Sequence, residues 1–346
     1  MPSTQLFPLN MLLLEPKING HNILITGGTS WTYRWMVKLL LSKFSPNKII
    51  IYSRDEYKQS EMMKEFPRSQ YPCMRYFIGD IRDKERLEQA FENVDIIFHA
   101  AALKQIDSIE YNPDEGIKTN VDGTRNVISV AKKCRVKYVV GVSTDKSSNP
   151  SSLYGASKFC AEKLLVAANN TSGGKTIFCA LRYGNVIFSR GSVGEIWLKQ
   201  RMNNEIAITD KRMTRFTITA EESVRFALNC LATMIGGEIF VPKLPSYNIV
   251  QFANVVAPTC TIKEIGKRPG EKLHETMVSD YESYLTIECA DQFIITPAIP
   301  IFNISAYHEK YGNKMCAEEW TYASNNNTLI NDDDLRAQLA DHLASL

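Results

Sequence analysis

The run Asn22-Ile23-Leu24-Ile25-Thr26-Gly27-Gly28 is a short apolar segment that stops abruptly at two glycines. A run of that length, closed by a turn signal, reads as a strand buried on both faces. Similar runs return at Lys48–Tyr52, Arg75–Ile78, Val94–His99, Lys137–Val142 and Thr176–Leu181. Helical periodicity fills most of the gaps, at 33–43, Arg82–Glu92, Gly116–Lys133 and Tyr154–Asn169. A helix between two strands carries the chain back across the sheet, so successive strands pair in parallel and both faces are covered. The expected fold class is α/β, a doubly wound parallel sheet.

After Arg182 the alternation becomes irregular. A last helix and strand, near Ala220–Met234 and Gly237–Pro242, are expected to rejoin the sheet. The expected organisation is a leader at 1–20, a nucleotide-binding domain at 21–187 completed by about 218–245, and a smaller C-terminal substrate-binding lobe. That lobe takes 188–217 and 246–346, including the tail. The acidic run Asp332-Asp333-Asp334 reads as the start of a terminal helix, where carboxylates suit the helix dipole, and not as a metal site.

Net charge is only +2, so no strong field favours nucleic acid or an anionic membrane. The apolar piece Met11–Leu14 is too short to span a bilayer or serve as a signal core. None of the eight cysteines forms a C-x-x-C pair, which fits buried free thiols in a reducing compartment. The expectation is a cytoplasmic protein with no metal, no nucleic-acid partner and no membrane partner.

A glycine turn between a first strand and a helix is a pyrophosphate site, because helix N–H groups and the dipole face the anion. Rossmann-type dinucleotide folds of the short-chain class space their glycines G-x-x-G-x-x-G. Only Gly27 stands in that frame here, with Ser30 and Tyr33 at the second and third places. A phenol at position 33 is expected to swing outward or displace the cofactor. After the second strand, Ser53-Arg54 offers a hydroxyl and a guanidinium where a carboxylate would select a bare ribose, which favours the 2′-phosphate of NADP.

The densest chemistry is Ser143-Thr144-Asp145-Lys146, followed by Tyr154 and Lys158. Tyr154 and Lys158 stand at i and i+4 on one helix face, where the ammonium can lower the phenol pKa. An acid, a second amine and a hydroxyl sit just upstream. Together they suit hydride transfer coupled to proton transfer at carbon.

Several motifs then match a family in order: Tyr52-Ser53-Arg54-Asp55-Glu56, Phe77-Ile78-Gly79-Asp80, His99-Ala100-Ala101-Ala102-Leu103-Lys104, Ser143-Thr144-Asp145-Lys146 and Arg182-Tyr183-Gly184-Asn185-Val186. Ser189-Arg190-Gly191-Ser192-Val193, Arg212-Met213-Thr214-Arg215-Phe216 and Arg268-Pro269-Gly270-Glu271-Lys272-Leu273-His274-Glu275 follow. Over about 22–335 the chain resembles the inverting UDP-N-acetylglucosamine 4,6-dehydratases of the extended short-chain dehydrogenase/reductase superfamily. Lys146 discriminates, since retaining dehydratases carry Thr-Asp-Glu there.

The resemblance implies NADP as cofactor, a UDP-sugar as substrate and a homo-oligomer. It implies Tyr154, activated by Lys158, as base at the 4-hydroxyl, Lys146 as base at C5, Asp145 as acid at the 6-oxygen and Thr144 on the 4-hydroxyl. The implied cofactor set is Gly27, Thr29, Ser30, Trp31 and Thr32 in the turn, then Ser53, Arg54, Lys58, Asp80 and Ile81. Ala100, Lys104, Val142, Ser143, Tyr154, Lys158 and Val186 complete it. The implied substrate set is Lys104, Asn185, Arg190, Val193, Thr209, Met213, Thr214 and Arg215, with Arg268 and Glu271 as a diphosphate and ribose clamp. Departures from the family pattern fall at 30–33, at Gln105 and at 194–197. A catalytically impaired sugar-nucleotide-binding homologue, an epimerase and a retaining dehydratase remain as alternatives.

Overall fold

The computed structural model describes residues 6–189, 191–299 and 304–344. Helix α1 (Met11–Ile18) precedes β1 (Asn22–Thr26), α2 (Trp31–Lys43), β2 (Lys48–Ser53), α3 (Glu56–Glu65), β3 (Met74–Ile78), α4 (Lys84–Ala90) and β4 (Ile96–His99). Two short helices, α5 (Ile106–Tyr111) and α6 (Pro113–Ile117), pass through a π-helical turn (Lys118–Asp122) into α7 (Gly123–Lys133). Then come β5 (Tyr138–Val142), a 3-10 turn (Asp145–Ser147), α8 (Leu153–Ala168) and β6 (Ile177–Leu181).

The second half supplies β7 (Asn185–Val186), α9 (Val193–Gln200), β8 (Glu205–Ile208), β9 (Thr214–Ile218), α10 (Ala220–Thr233), β10 (Ile239–Pro242) and β11 (Ser246–Asn248). It continues through α11 (Ile249–Val256), β12 (Thr261–Glu264), β13 (Thr276–Val278), α12 (Asp280–Ser283), β14 (Thr286–Glu288) and β15 (Gln292–Ile295). Last come α13 (Ile304–Tyr311), β16 (Tyr322–Ala323) and α14 (Asp332–Ala344), the helix that begins on the acidic run.

The central sheet has the order β14-β15-β10-β6-β5-β4-β1-β2-β3. From β3 to β10 every pairing is parallel, the doubly wound Rossmann arrangement expected from the strand–helix alternation. β1 lies between β2 and β4, so the winding reverses direction there, and ligands of such sheets bind at that crevice. Register sets the row: Thr26 is opposite both Tyr52 and His99. The loops that open at Gly27, Arg54 and Ala100 therefore leave the sheet side by side.

Two expectations change. Residues 1–20 are not simply a leader, because α1 buries Leu14 and Ile18 in the main core. Lys17 Nζ donates to the Leu231 and Ala232 carbonyls at 2.7 and 3.2 Å, placing a cation on the end of α10. β14 and β15, in the stretch assigned to the lobe, extend the main sheet as antiparallel strands beyond β10. A second, smaller apolar cluster forms around Trp197, Ile206, Ile208, Met213, Tyr247 and Phe252.

Candidate active site

A cleft of about 1030 Å³ opens over the carboxyl ends of β1, β2 and β4. Gly27 adopts φ +67°, and a Cβ there would lie 2.9 Å from the Ala101 backbone, so the turn admits only glycine. Thr29, Ser30, Trp31 and Thr32 line the cleft. Ser30 is the N-cap of α2 but makes no side-chain capping bond. Among the described residues the N–H groups of Trp31 and Thr32 have no protein partner, which leaves the helix end open to an anion.

Ser53, Arg54, Lys58, Asp80, Ile81, Ala100 and Lys104 line the same cleft. Ser53 Oγ accepts from Gln59 Nε2 at 3.1 Å. The Arg54 guanidinium lies 3.4 Å from Asp80, and Lys58 lies 2.6 Å from Asp55, both near the surface. Burial pushes the Asp80 carboxyl up, but hydrogen bonds from Arg82 outweigh it and hold it below its ordinary range. The open helix end, the positive-φ glycine and this polar rim fit a dinucleotide.

A second cavity of about 300 Å³ adjoins the cleft and is lined by Val142, Ser143, Thr144, Lys146, Tyr154 and Lys158, with Asn185 and Val186. Its floor is the 3-10 turn after β5, pressed against the start of α8. Gly155 permits that contact: a side chain there would overlap the Lys146 carbonyl oxygen. Ser152 caps α8 by accepting from Gly155 N. Lys158, one turn after Tyr154, donates to the Val142 carbonyl at 2.7 Å. Burial lowers its amine to about 8, against the opposing pull of Glu162.

A charge that the spacing did not suggest also bears on Tyr154. Burial raises its phenol; the groups that work against this are Lys146, by its charge, and Thr144, by a hydrogen bond. Lys158 donates one of its three N–H groups to the Val142 carbonyl.

Lys146 is the hub. Its Nζ donates to Asp145 Oδ1 at 3.0 Å and to Asn185 Oδ1 at 3.2 Å, and stands 3.3 Å from Glu275 Oε1. Desolvation opposes its charge, but the two carboxylates outweigh it and raise the ammonium above its ordinary range. Burial raises Asp145, helped by the charge of Glu275 and opposed by Lys146. Thr144 Oγ1 donates to Asp145 Oδ1 at 3.0 Å. Among the described residues, the buried Asp145 Oδ2 and Glu275 Oε2 have no hydrogen-bond partner.

Tyr33 corrects another expectation. The phenol neither swings outward nor stands in the large cleft: it is buried in the main core and hydrogen-bonded to Tyr183. It reaches the site only as part of the wall of the smaller cavity. Trp31 packs edge-on against His342 of α14, which stacks on Phe188.

The remaining substrate candidates separate. Val193 is the first residue of α9 and lines neither cavity. Thr209, Met213, Thr214, Arg215, Arg268 and Glu271 line neither cavity. Met213 is buried in the second cluster, and its sulfur accepts from Thr209 and Arg215. Arg268 is exposed; its N–H donates to Glu271 Oε2 at 3.1 Å. Arg190 lies outside the described residues.

Residues 23–297 match the family model described as polysaccharide biosynthesis protein. The chain belongs to that family. Within it, the chain is 49% identical over 318 residues to a UDP-N-acetylglucosamine 4,6-dehydratase (inverting) of Campylobacter jejuni, covering 89% of this chain and 94% of the relative. It is 35% identical over 333 residues to a UDP-glucose 4-epimerase of Rickettsia canadensis, covering 92% and 94%. The solved structure of Pen from Bacillus thuringiensis superposes with a TM-score of 0.85 at 33% identity, covering 94% of this chain and 99% of that one. In this member of the polysaccharide biosynthesis protein family Lys146 lines the smaller cavity, and Ser30 and Tyr33 stand at the second and third places of the glycine frame.

Sequence reasoning missed Asn120 and gave Glu275 no role. Asn120 sits in the π-helical turn, where its amide exchanges bonds with the Leu103 backbone at 2.8 and 2.9 Å and donates to Ser157 Oγ at 3.0 Å. It ties the loop carrying Lys104 to the helix carrying Tyr154. The available signal was a buried asparagine inside a helical pattern. His99 is held neutral, its imidazole pushed to about 3 by burial and Lys158, and it bridges Thr26 and Thr124.

Proposed function

We propose that this protein catalyses NADP-dependent 4,6-dehydration of UDP-N-acetylglucosamine with inversion at C5, giving a UDP-2-acetamido-2,6-dideoxy-4-hexulose. One observation carries the reading: a buried acid and a half-buried amine, Asp145 and Lys146, lie 3.0 Å apart beside Tyr154 at the end of a dinucleotide cleft. Bound NADP supplies the hydride acceptor for C4 and the hydride donor for C6. Arg54 and Lys58 at the rim support NADP over NAD.

Tyr154 receives the 4-hydroxyl proton, and the Lys146 charge and Thr144 hydrogen bond favour its phenolate. The 4-keto group acidifies C5; one proton transfer from the Lys146 ammonium to Asp145 across their hydrogen bond frees the amine, which takes the C5 proton. The C6–O bond breaks toward oxygen, which takes the Asp145 proton and leaves as water. The pair is left as ammonium and carboxylate, the form in which it started. The proton removed from O4 matches in number the one C5 regains on its opposite face. An epimerase expels no water, so this pair would have no task in one.

Incubation with UDP-N-acetylglucosamine should give a product lighter by one water, with solvent deuterium at C5. Lys146→Ala should abolish that loss and leave folding and cofactor content unchanged. A variant with normal turnover removes Lys146 as the base.

A further inference from the structure

Beside the acid and the amine stands a third ionisable group to which the reaction above gives no task. Glu275 precedes β13, far from the catalytic turn in sequence, and is 2% exposed. Its Oε1 lies 3.3 Å from Lys146 Nζ and 3.8 Å from Arg215 Nε, and its Oε2 lies 4.0 Å from Lys272 Nζ. Its backbone is fixed on both sides, since Glu275 N donates to Ser324 Oγ at 3.0 Å and Ser324 N donates to Glu275 O at 2.8 Å. A buried carboxylate costs several kcal/mol in lost hydration unless its charge is matched. Here the match is made on the catalytic amine itself.

Counting charges shows what that anion does. Lys146, Arg215 and Lys272 bring three cations to the turn, and Asp145 and Glu275 bring two anions; Glu271 reaches Arg215 only at 3.9 Å. His274 is turned to Thr214, while Tyr154 and Tyr247 face the group as neutral phenols. With Glu275 removed, Asp145 would stand alone among three cations. Such a field keeps a carboxylate ionised and strips the neighbouring amine more readily, so the acid that must protonate the leaving oxygen would be lost.

We propose, resting on the dehydratase reading, that Glu275 is a positioning residue: it grips the Lys146 amine from the C-terminal lobe and keeps one proton resident on the Lys146–Asp145 pair. Glu275 Oε2 and Asp145 Oδ2, which have no hydrogen-bond partner among the described residues, fit this role, because both carboxylates direct their other oxygen to the shared amine. The lobe then does more than cover the substrate. It closes the acid–base pair electrostatically.

The experiment compares the full-length protein with Glu275→Gln and Glu275→Asp, using UDP-N-acetylglucosamine. Product is followed by mass spectrometry, reduced cofactor by absorbance, and kcat across pH. The Gln variant should still form reduced cofactor on adding substrate, while water loss falls about 10²-fold or more. Without the anion the pair gives up its proton more easily, so the alkaline limb of kcat should move down by about 1–3 pH units. The Asp variant keeps the charge and shortens the reach, so its limb should stay near that of the unmodified protein while kcat drops. An unmoved limb in Glu275→Gln, even with lower thermal stability, assigns Glu275 a structural role and overturns the proposal. If the Gln variant does not fold, a shifted limb in Glu275→Asp overturns it. An unmodified protein that releases no water removes the dehydratase reading, and this inference with it.

Discussion

Replacing Gly155 with alanine adds one methyl group where α8 meets the catalytic turn. That methyl would overlap the Lys146 carbonyl oxygen, and the Pro150 Cβ would lie 3.1 Å away. The first neighbour is backbone, which cannot rotate aside, so the turn must retreat by about 1 Å to restore ordinary contact. Overpacking of that size costs about 1–3 kcal/mol, offset by up to about 1 kcal/mol from replacing a helical glycine. The stability change is therefore small. A 1 Å displacement of a catalytic group, by contrast, can cost about 10²-fold in rate. Gly155→Ala should thus unfold within a few degrees of the unmodified protein yet dehydrate about 10²-fold more slowly. Gly116→Ala is the control: its methyl would meet only the Ile109 side chain, Cγ2 at 2.7 Å, and no atom of the turn that carries Lys146. Melting curves and initial rates of water loss on both variants decide the matter. Normal turnover in Gly155→Ala would show that the turn does not hold Lys146 in its working position.

Arg54→Glu should shift the ratio of NADP to NAD affinity by about 10–100-fold toward NAD, because a charge-assisted contact worth about 1.5–3 kcal/mol becomes repulsive; binding titrations with both cofactors that give an unchanged ratio exclude Arg54. Tyr33→Phe should lose about 1 kcal/mol of stability with its bond to Tyr183. Tyr33→Gly should lose about 3–5 kcal/mol by opening a core cavity, and if denaturant midpoints show neither loss, the tyrosine is not core. Burial opposes ionisation of Glu282, yet Arg182 beside it holds the carboxyl down at about 2 against an ordinary 4.5. A folded-state pKa below the unfolded value stabilises above the unfolded one and is lost on acidification. Roughly 3 kcal/mol should therefore fade between about pH 4.5 and pH 2, and should be missing from the acid unfolding curve of Glu282→Gln.

The parallel sheet and its cleft were readable because the signals are local. Apolar runs of strand length, separated by helical periods, leave few pairings open, and Gly27 marks a turn where a Cβ cannot fit. The candidate acid–base segment was equally legible: Thr144, Asp145, Lys146, Tyr154 and Lys158 fall within fifteen consecutive residues, so chain geometry alone brings them together. Electrostatic influence was less legible. Spacing paired Tyr154 with Lys158; the fold also brings the Lys146 charge to bear on the phenol, which spacing does not reveal.

The sequence by itself determined the order of strands and helices, the open helix end at the glycine turn, and the kinds of acid, base and hydroxyl available. Only the tertiary structure decided their environment. It turned Tyr33 into the core against Tyr183, docked α1 on α10, set Asn120 between the Lys104 loop and α8, and carried Glu275 to Lys146. Periodicity records which face of an element is apolar. A buried charge is assigned its partner only when elements distant in the chain pack and exclude water, because the field at a side chain depends on distance in space and on what has been desolvated.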